Sequence, residues 1–322
     1  MSGAGSALPA FVEALGDGIW CIDTGYHRPR FDAAYLLVDD GRAAFFDTGT
    51  NHALPRLLGA LQALGLPRDA VDWVIPSHVH LDHAGGAGAL MRELPAARML
   101  LHPRGVRHMA DPSALQRAVV EIYGAATVAR DYGTLLPVDA ARITPTEDGM
   151  TVQLGRRRLE FAHTPGHALH HHCLWDEASR GWFTGDTFGV SYREFDTARG
   201  PWMLLSSTPV QFDPPALRAS VQRLLERQPR WVHLTHYGRL GNVAGLGQQL
   251  LRAIDGMVEL GRATPRGAER EPRLAQALQR QYQQEARAHG CALGAAAVAQ
   301  ALDMDIRLNA QGLAIWLERQ GF

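Results

Sequence analysis

The stretch Ser77–Gly86 reads SHVHLDHAGG and follows the apolar run VDWVIP at 71–76. It collects three histidines and an aspartate within six positions. An exposed loop has no need of such a set, and a buried loop could not tolerate it without partners, because unpaired polar groups are costly to bury. Imidazole and carboxylate groups are ligands that zinc, iron and manganese accept. The stretch therefore predicts a metal site, whose first candidate ligands are His78, His80, Asp82 and His83.

The spacing within this loop predicts two directions for the ligands. His78 and His80 stand two positions apart at the end of an extended segment, so they can project to the same side. Asp82 and His83 fall at the turn into the next helix and can face a second point. Four side chains do not complete two metal sites that keep open positions, so we expect other segments to supply further ligands.

Three later segments offer such ligands, each at the end of a predicted strand. TPGH ends in His167, GWFTGD ends in Asp186 and VHLTH ends in His236. The order of a histidine-rich loop, a histidine, an aspartate and a histidine is what a dinuclear site requires.

The pattern around these motifs predicts two β-rich stretches with helices between them. Short runs rich in β-branched and aromatic residues are bounded by Gly and Asp-Gly turn signals. Longer runs have helical apolar spacing. The predicted strands lie at 18–23, 33–39, 43–49, 71–77, 98–103, 150–155, 157–166, 170–177, 181–186 and 230–236, and the helices at 51–65, 85–94, 112–133 and 214–228.

From Val243 onward no strand pattern remains. Amphipathic helices are predicted at 248–261, 273–290 and 306–319, and the Pro/Gly/Arg-rich segment 261–272 is predicted to be a linker. We therefore divide the chain into a catalytic domain at 1–242 and a helical region at 243–322. The apolar spacing of these helices needs a surface to cover. We expect them to pack on the catalytic domain and help wall the substrate cleft, with a homodimer as one arrangement that would use them.

Composition narrows the function classes. The 322-residue chain is 46% hydrophobic with a net charge of −1, so it has no global basic surface for nucleic acid or an anionic membrane. It contains no lysine, which excludes a Schiff base or a P-loop lysine. Three scattered cysteines, no signal peptide pattern and no apolar run of about 20 residues predict a cytoplasmic protein. A small-molecule substrate is the expected partner.

The motif series HVHLDH, TPGH, GD and LTH resembles the metallo-β-lactamase superfamily, with the likeness running from about Gly16 to Gly238. FFDTG, with Asp47, matches a further motif in which the aspartate supports the histidine loop. The resemblance implies an α/β fold, a four-layer αββα sandwich, here followed by a C-terminal helical extension. A match to five motifs is specific, whereas one motif alone would be weak.

The same resemblance implies two divalent metal ions, zinc above all, with iron or manganese as alternatives. An activated water would attack an ester, lactone or thioester, and Asp82 would relay a proton to the leaving group. Carried over residue by residue, the first ion is held by His78, His80 and His167, the second by Asp82, His83 and His236, and Asp186 bridges them.

The sequence differs from individual branches of this family, and these differences bear on which activity of the family the chain has. A bridging aspartate argues against β-lactamase activity. The ligands and the helical C-terminal part are similar to glyoxalase II, whose glutathione site uses lysine, absent here. Lactonases share the ligand set and often have a tyrosine beyond the bridging aspartate, where this chain has Tyr192. The alternative is a mononuclear iron oxygenase or redox protein similar to the persulfide dioxygenases.

Two loops are expected to hold the substrate. They are DTGYHRPRFDAAY at 23–35 and DTFGVSYREFDTARGPW at 186–202, both predicted at the metal-bearing edge. A tyrosine such as Tyr192 could donate to an oxyanion, and an arginine could bind a carboxylate, although packing tyrosines and solvated arginines explain the residues equally well. For the histidine run at 170–172 we expect supporting or packing roles. The candidates in the loops are Tyr26, Arg28, Arg30, Tyr192 and Arg193.

Overall fold

A computed structural model describes residues 8–322, with all side chains but those of residues 122 and 123. The strands are β1 (Val12–Gly16), β2 (Ile19–Asp23), β3 (Ala33–Asp39), β4 (Arg42–Phe46), β5 (Val71–Ile75), β6 (Arg98–Leu101), β7 (Ile143–Pro145), β8 (Thr151–Leu154), β9 (Arg157–His163), β10 (His172–Asp176), β11 (Gly181–Gly185), β12 (Trp231–Leu234) and β13 (Gly238–Leu240). The helices are α1 (Leu54–Ala63), α2 (Leu81–Ala84), α3 (Ala87–Glu93), α4 (Val106–Ala110), α5 (Ser113–Tyr123), α6 (Ala125–Asp131), α7 (Pro214–Glu226), α8 (Val243–Ala263), α9 (Arg270–His289), α10 (Ala295–Ala301) and α11 (Asp303–Arg319).

The strands form two sheets, each continuous in chain order. The first sheet runs β1-β2-β3-β4-β5-β6-β7 and changes from antiparallel to parallel pairing at β4. The second runs β13-β12-β11-β10-β9-β8 and is antiparallel except between β11 and β12. Parallel neighbours need crossover connections, which here are helical.

The alternation of side chains along each strand builds the layers. In β3, Tyr35 and Leu37 enter the cluster between the sheets, while Leu36 faces the opposite side. Phe161 and Phe183 meet this inner cluster from the second sheet. Helices α1, α3 and α4 cover the outer face of the first sheet, and α7 to α11 cover the outer face of the second. The layer order is thus α, β, β, α, as predicted, with the C-terminal helices in the last layer.

Some elements differ from the sequence predictions. Strands β1, β7 and β13 were not predicted, because at three to five residues they depend on pairing with a neighbour more than on composition. The helix predicted at 112–133 is two helices, since Gly124 adopts a φ of +81° between them. The expected linker is shorter than predicted, because α8 extends to Ala263 and α9 begins at Arg270.

The C-terminal helices lie on the second sheet rather than apart from it. The side-chain amide of Asn309 donates to Leu205 O and Tyr282 Oη, both 2.9 Å away. Its side-chain oxygen accepts from the Ser207 amide at 2.9 Å. None of the helices within residues 8–322 combines the length and the apolar character that crossing a membrane would take.

Candidate metal centre

The histidine loop joins β5 to α2 and brings its ligands to the edge where several strands end. β5 stops at Ile75, and His80 is the residue before the first turn of α2. His167 follows β9, Asp186 follows β11 and His236 follows β12. Their potential ligand atoms form overlapping groups in which all atoms lie within 4.8 Å of one another. These groups are His78, His80 and His167; His78, His83 and Asp186; and Asp82, His83 and His236.

The group of His78, His80 and His167, called the first group from here on, consists of imidazoles alone. His80 Nδ1 lies 2.7 Å from His78 Nε2 and 3.3 Å from His167 Nε2. Two of the three remaining nitrogens are held from behind, since His78 Nδ1 is 2.9 Å from Ser77 Oγ and His167 Nδ1 is 3.2 Å from Ser206 O. These outer contacts orient the rings so that three nitrogens face a common point.

The group of Asp82, His83 and His236, called the second group from here on, includes a carboxylate. His236 Nε2 lies 3.4 Å and His83 Nε2 lies 3.9 Å from Asp82 Oδ2. The Nδ1 of His236 donates to Phe31 O at 2.8 Å, which directs Nε2 toward the carboxylate. His83 is fully buried, whereas the side chain of Asp82 is 26% exposed. Asp82 therefore lies on the side of the centre that a substrate can reach.

Asp186 lies between the two groups. Its Oδ1 is 3.3 Å from His83 Nε2 and 3.7 Å from His236 Nε2. Its Oδ2 is 3.3 Å from His167 Nε2 and accepts from Ser206 Oγ at 3.1 Å. Each oxygen therefore faces a different histidine group, and the seven ligands expected from the sequence come together at one place.

Two buried atoms support a metal at this centre. His83 Nε2 and Asp186 Oδ1 have no hydrogen-bond partner among the residues that the structure describes, although they lie 3.3 Å apart. Leaving such groups unsatisfied costs about 1–3 kcal/mol each, more for a charge. Imidazole nitrogens and carboxylate oxygens together suit a divalent transition-metal ion. The residues present thus fit the metal ions that the sequence predicts.

Asp47 ties the histidine loop to the first sheet. Its carboxylate accepts from the Ser77 amide at 2.6 Å, Thr235 Oγ1 at 2.6 Å and His83 Nδ1 at 2.8 Å. The residue has a φ of +57°, a conformation that Asp tolerates better than most residues. Asp47 therefore sets the ring orientation of His83 and joins three segments behind the ligands.

Two glycines let these segments approach one another. A Cβ at Gly86 would lie 2.7 Å from Thr50 O, so the start of α3 packs directly on the backbone after Asp47. Gly185 has a φ of +47°, and a Cβ there would lie 2.6 Å from the Ser77 side chain. Larger residues at either position would push the ligand loops apart.

The electrostatic surroundings of the two groups differ. Burial lowers the pKa of His78 and His80 well below the usual value, and neighbouring imidazoles add to the effect. Burial would also lower the pKa of His83, but the carboxylates of Asp186 and Asp47 outweigh it and raise that pKa well above its usual value. The first group thus offers neutral imidazoles, and the second lies among carboxylates whose negative charge attracts a cation.

The histidine run at 170–172 lies behind the centre. His171 Nε2 is 3.2 Å from the Asp186 amide, and its Nδ1 is 2.9 Å from Thr164 Oγ1. His172 contacts Pro76 O and Thr146 Oγ1, each at 2.9 Å. The ring of His170 lies 5.7 Å from that of His80. These placements agree with supporting and packing contacts.

Four of the five candidate substrate residues in the two loops have partners for their side chains, whereas Arg30 is held through its backbone amide. Tyr192, 2% exposed, donates from its hydroxyl to Asp305, 3.0 Å from Oδ1, so an oxyanion role for it stays a prediction. Tyr26 Oη lies 2.8 Å from Tyr132 Oη. Arg28 pairs with Glu194, Arg193 donates to Ser191 O, and the Arg30 amide donates to Asp23. Tyr26 also lines a cavity of about 350 Å³, together with Thr24, Gly25, His27, Thr50, His52, Arg130 and Asp131.

Several contributors to the centre have no signal in the sequence. Phe31 O and Ser206 O act through the backbone, so the residue type says nothing about their role. Asp32 is fully buried, and burial raises its pKa to about 7. Its Oδ2 accepts from Thr24 Oγ1 at 2.5 Å. Asp305 lies more than a hundred residues from the Tyr192 that it binds.

Comparison with known proteins agrees with this geometry. A family model described as the metallo-beta-lactamase superfamily matches residues 27–236. The chain is 25% identical over 215 residues to the metallo-beta-lactamase fold-containing protein ST1585 of Sulfurisphaera tokodaii, covering 65% of this chain and 74% of the relative. It is 30% identical over 203 residues to the human acyl-coenzyme A thioesterase MBLAC2, covering 56% of this chain and 67% of the relative.

Solved structures show the same fold along almost the whole chain. The crystal structure of ST1585 from Sulfolobus tokodaii superposes with a TM-score of 0.64 at 19% identity, covering 92% of this chain and 98% of the other. TTHA1429 from Thermus thermophilus, a metallo-beta-lactamase family protein, gives a TM-score of 0.62 at 22% identity, covering 96% and 95%. Given the match of the family model to most of the chain, this protein belongs to the metallo-β-lactamase superfamily.

Proposed function

We propose that the chain is a two-metal hydrolase of small acyl compounds: esters, lactones or thioesters, with thioesters as the favoured class. One observation carries the two-metal proposal. The two oxygens of Asp186 face different histidine groups, Oδ1 toward His83 and Oδ2 toward His167, each at 3.3 Å. A carboxylate so placed is suited to bridge two ions.

Seven side chains would hold these ions, for which zinc is our first expectation, with iron or manganese as alternatives. When bound, such ions supply a nucleophilic hydroxide near neutral pH and polarise the carbonyl of the substrate. The first ion would be held by His78, His80 and His167, the second by Asp82, His83 and His236, and both by Asp186.

Asp82 is the residue that we place in proton transfer. Its side chain is partly exposed, as His80 is, while the other five ligands are nearly or fully buried, so this carboxylate can meet the leaving group. The pKa of Asp82 lies below its usual value, because His83 and His236 outweigh the opposing effect of burial. Asp82 would therefore begin the cycle as a carboxylate, able to accept the proton that the attacking water releases and to return it to the departing oxygen or sulfur.

The favoured thioester class rests on the curated relatives. The human protein at 30% identity is named an acyl-coenzyme A thioesterase. A thiolate is a good leaving group, so cleavage of a thioester depends less on protonation of the leaving group than cleavage of an ester or an amide does. The carbonyl chemistry is shared by all three substrate classes, which is why the proposal covers them together.

The test combines metal content with a substrate panel. We expect metal-replete wild type to hold two ions per chain by elemental analysis and to hydrolyse at least one member of a panel of acyl-coenzyme A thioesters, aryl esters and lactones. Asp186→Ala should lose at least one ion and about 10²-fold or more in kcat. The control is Asp303→Ala, which removes an exposed carboxylate at the start of α11.

The outcomes separate the proposals. Wild type that holds a single ion under metal-replete conditions would contradict the two-metal site. One iron per chain, with oxygen consumed in the presence of a persulfide and no hydrolysis, would favour the mononuclear iron oxygenase instead. Full hydrolytic activity in Asp186→Ala would remove Asp186 from the site.

A further inference from the structure

The C-terminal helix α11 contacts the tyrosine that follows the bridging aspartate. Asp305, partly buried on the first turns of α11, accepts from Tyr192 Oη with Oδ1 at 3.0 Å and Oδ2 at 3.3 Å. Tyr192 is 2% exposed, so this contact satisfies a hydroxyl that water reaches poorly. The carboxylate of Asp305 thus fixes the direction in which the Tyr192 ring points.

The ring of Tyr192 in turn packs on Phe31. The two rings are stacked, with centroids 5.0 Å apart and planes 13° from parallel. The guanidinium of Arg28 lies 4.4 Å from the centre of the Phe31 ring and 4.8 Å from that of Tyr192. Arg28 is itself held by Glu194 at 2.8 Å. Such contacts each contribute modestly, yet together they leave Phe31 little freedom.

Phe31 positions the metal ligand His236 in two ways. Its carbonyl accepts from His236 Nδ1 at 2.8 Å, and its ring lies 5.4 Å from the imidazole. The residue before Tyr192 supports the same ligand, because the Ser191 amide donates to His236 O at 2.6 Å. The direction of His236 Nε2 therefore depends on where Phe31 and the segment around Tyr192 lie.

We propose that Asp305 is a positioning residue for His236, acting through Tyr192 and Phe31 so that the C-terminal helices set the affinity of the second metal position. The inference rests on the two-ion site of the proposed function. It assigns a role to a carboxylate that lies outside the family match at 27–236. It also gives a role to the hydrogen bond from the Tyr192 hydroxyl to α11.

The anchoring of α11 does not depend on Asp305, which makes the role testable. Asn309, one turn further along, binds Leu205 O, Tyr282 Oη and the Ser207 amide. Leu313 and Leu317 of the same helix are fully buried in the core. Removal of the Asp305 carboxylate should therefore leave α11 in place and change only the series of contacts that leads to His236.

The experiment measures zinc affinity at each position in the full-length chain, by competition with a chromophoric chelator. Outer partners of metal ligands typically affect affinity by about 10- to 100-fold, and for an indirect partner we expect the lower figure. Asp305→Ala should bind the second zinc about 10-fold more weakly and the first zinc as wild type does. Asp305→Asn, whose amide oxygen still accepts from Tyr192, should restore most of that loss. Asp303→Ala should match wild type.

Tyr192→Phe provides a second variant if Asp305→Ala folds poorly. It removes the hydroxyl and keeps the ring that stacks on Phe31, so we expect a smaller, selective weakening of the second zinc. The melting temperature of each metal-free variant shows whether a general loss of stability accompanies the effect.

The possible results are distinct. Unchanged affinity for both ions in Asp305→Ala, or equal weakening of both, would overturn the positioning role while leaving the two-metal proposal intact. Failure of Asp305→Asn to recover the second zinc would also count against it. Wild type that binds one zinc, at the group containing His78, would overturn both proposals, because His236 would then not be a ligand.

Discussion

Replacement of Asp47 by asparagine tests how far the metal centre depends on a residue that touches no ion. The wild-type carboxylate accepts four hydrogen bonds, from the Ser77 amide and hydroxyl, from Thr235 Oγ1 and from His83 Nδ1. Both oxygens are acceptors, and Asn offers one acceptor and one donor in the same shape. Oδ1 accepts from the Ser77 amide and Oδ2 from the other three donors, so the single amide oxygen of the Asp47→Asn variant can serve only one of these two sets, and in either orientation His83 loses its charged acceptor.

The size of the expected decrease in metal affinity follows from the hydrogen bonds that the substitution removes. A hydrogen bond to a charged group contributes about 1.5–3 kcal/mol, and loss of an outer partner costs about 10- to 100-fold in metal affinity. We expect Asp47→Asn to weaken the ion held by His83 by that factor and to leave the ion of His78 and His80 nearly unchanged. Asn also tolerates the φ of +57°, whereas Ala in that region would add about 1–2 kcal/mol of backbone strain.

The assay is a zinc competition titration that resolves two binding steps, with thermal unfolding of the metal-free protein beside it. Asp72→Asn is a matched control, because Asp72 lies on the same sheet and its ion pair is with the partly exposed Arg42. If Asp47→Asn bound both zinc ions with the affinities of the wild type, this result would refute the reasoning that Asp47 sets the orientation of His83. Equal loss of both steps would show instead that the whole loop collapses.

Two further predictions concern packing and pH. Gly86→Ala should lower the free energy of unfolding by about 1–3 kcal/mol in denaturant, because the added Cβ would lie 2.7 Å from Thr50 O. Gly294→Ala, whose Cβ would enter open space, should leave that free energy unchanged. An equal effect of the two substitutions would contradict the close packing at Gly86. Burial lowers the pKa of His172 to about 3 from 6.5, so the folded state rejects a proton that the unfolded state binds, and stability is lost as the pH falls from about 6.5 toward 3. Between pH 7.5 and 5.0 the metal-free wild type should therefore lose about 2 kcal/mol more than His172→Gln in urea unfolding, and parallel losses would exclude this contribution.

The parts of the centre that could be predicted are those with side-chain chemistry at strand ends. His78, His167 and Asp186 are polar residues at the ends of predicted strands, and such groups are costly to bury without a partner. The αββα order could be predicted because the motif series resembles that of one family, whose fold it implies. In both cases the information lies within a few consecutive residues, which is where sequence patterns are strongest.

The parts that could not be predicted depend on contacts between distant segments. The carbonyls of Phe31 and Ser206 hold ligand histidines, and any residue type has a carbonyl. Strand β13 has three residues and exists because it pairs with β12. Strand pairing and backbone hydrogen bonds between distant segments depend on the tertiary structure, so neither the hydrophobic periodicity nor the residue type predicts them.

Tyr192 shows how tertiary contacts decide a role that sequence leaves open. Its place six residues after Asp186 suggested a hydroxyl near the reacting carbonyl. A buried phenol needs an acceptor, and Asp305 of α11 supplies one at 3.0 Å. If the hydroxyl turned to a substrate, the Asp305 carboxylate, whose pKa burial raises to about 6, would lose its donor in a poorly hydrated place. The cost of that loss favours the observed hydrogen bond to Asp305, and under the positioning role that we propose Tyr192 would act on the centre through the stacked Phe31 ring and the His236 that Phe31 holds.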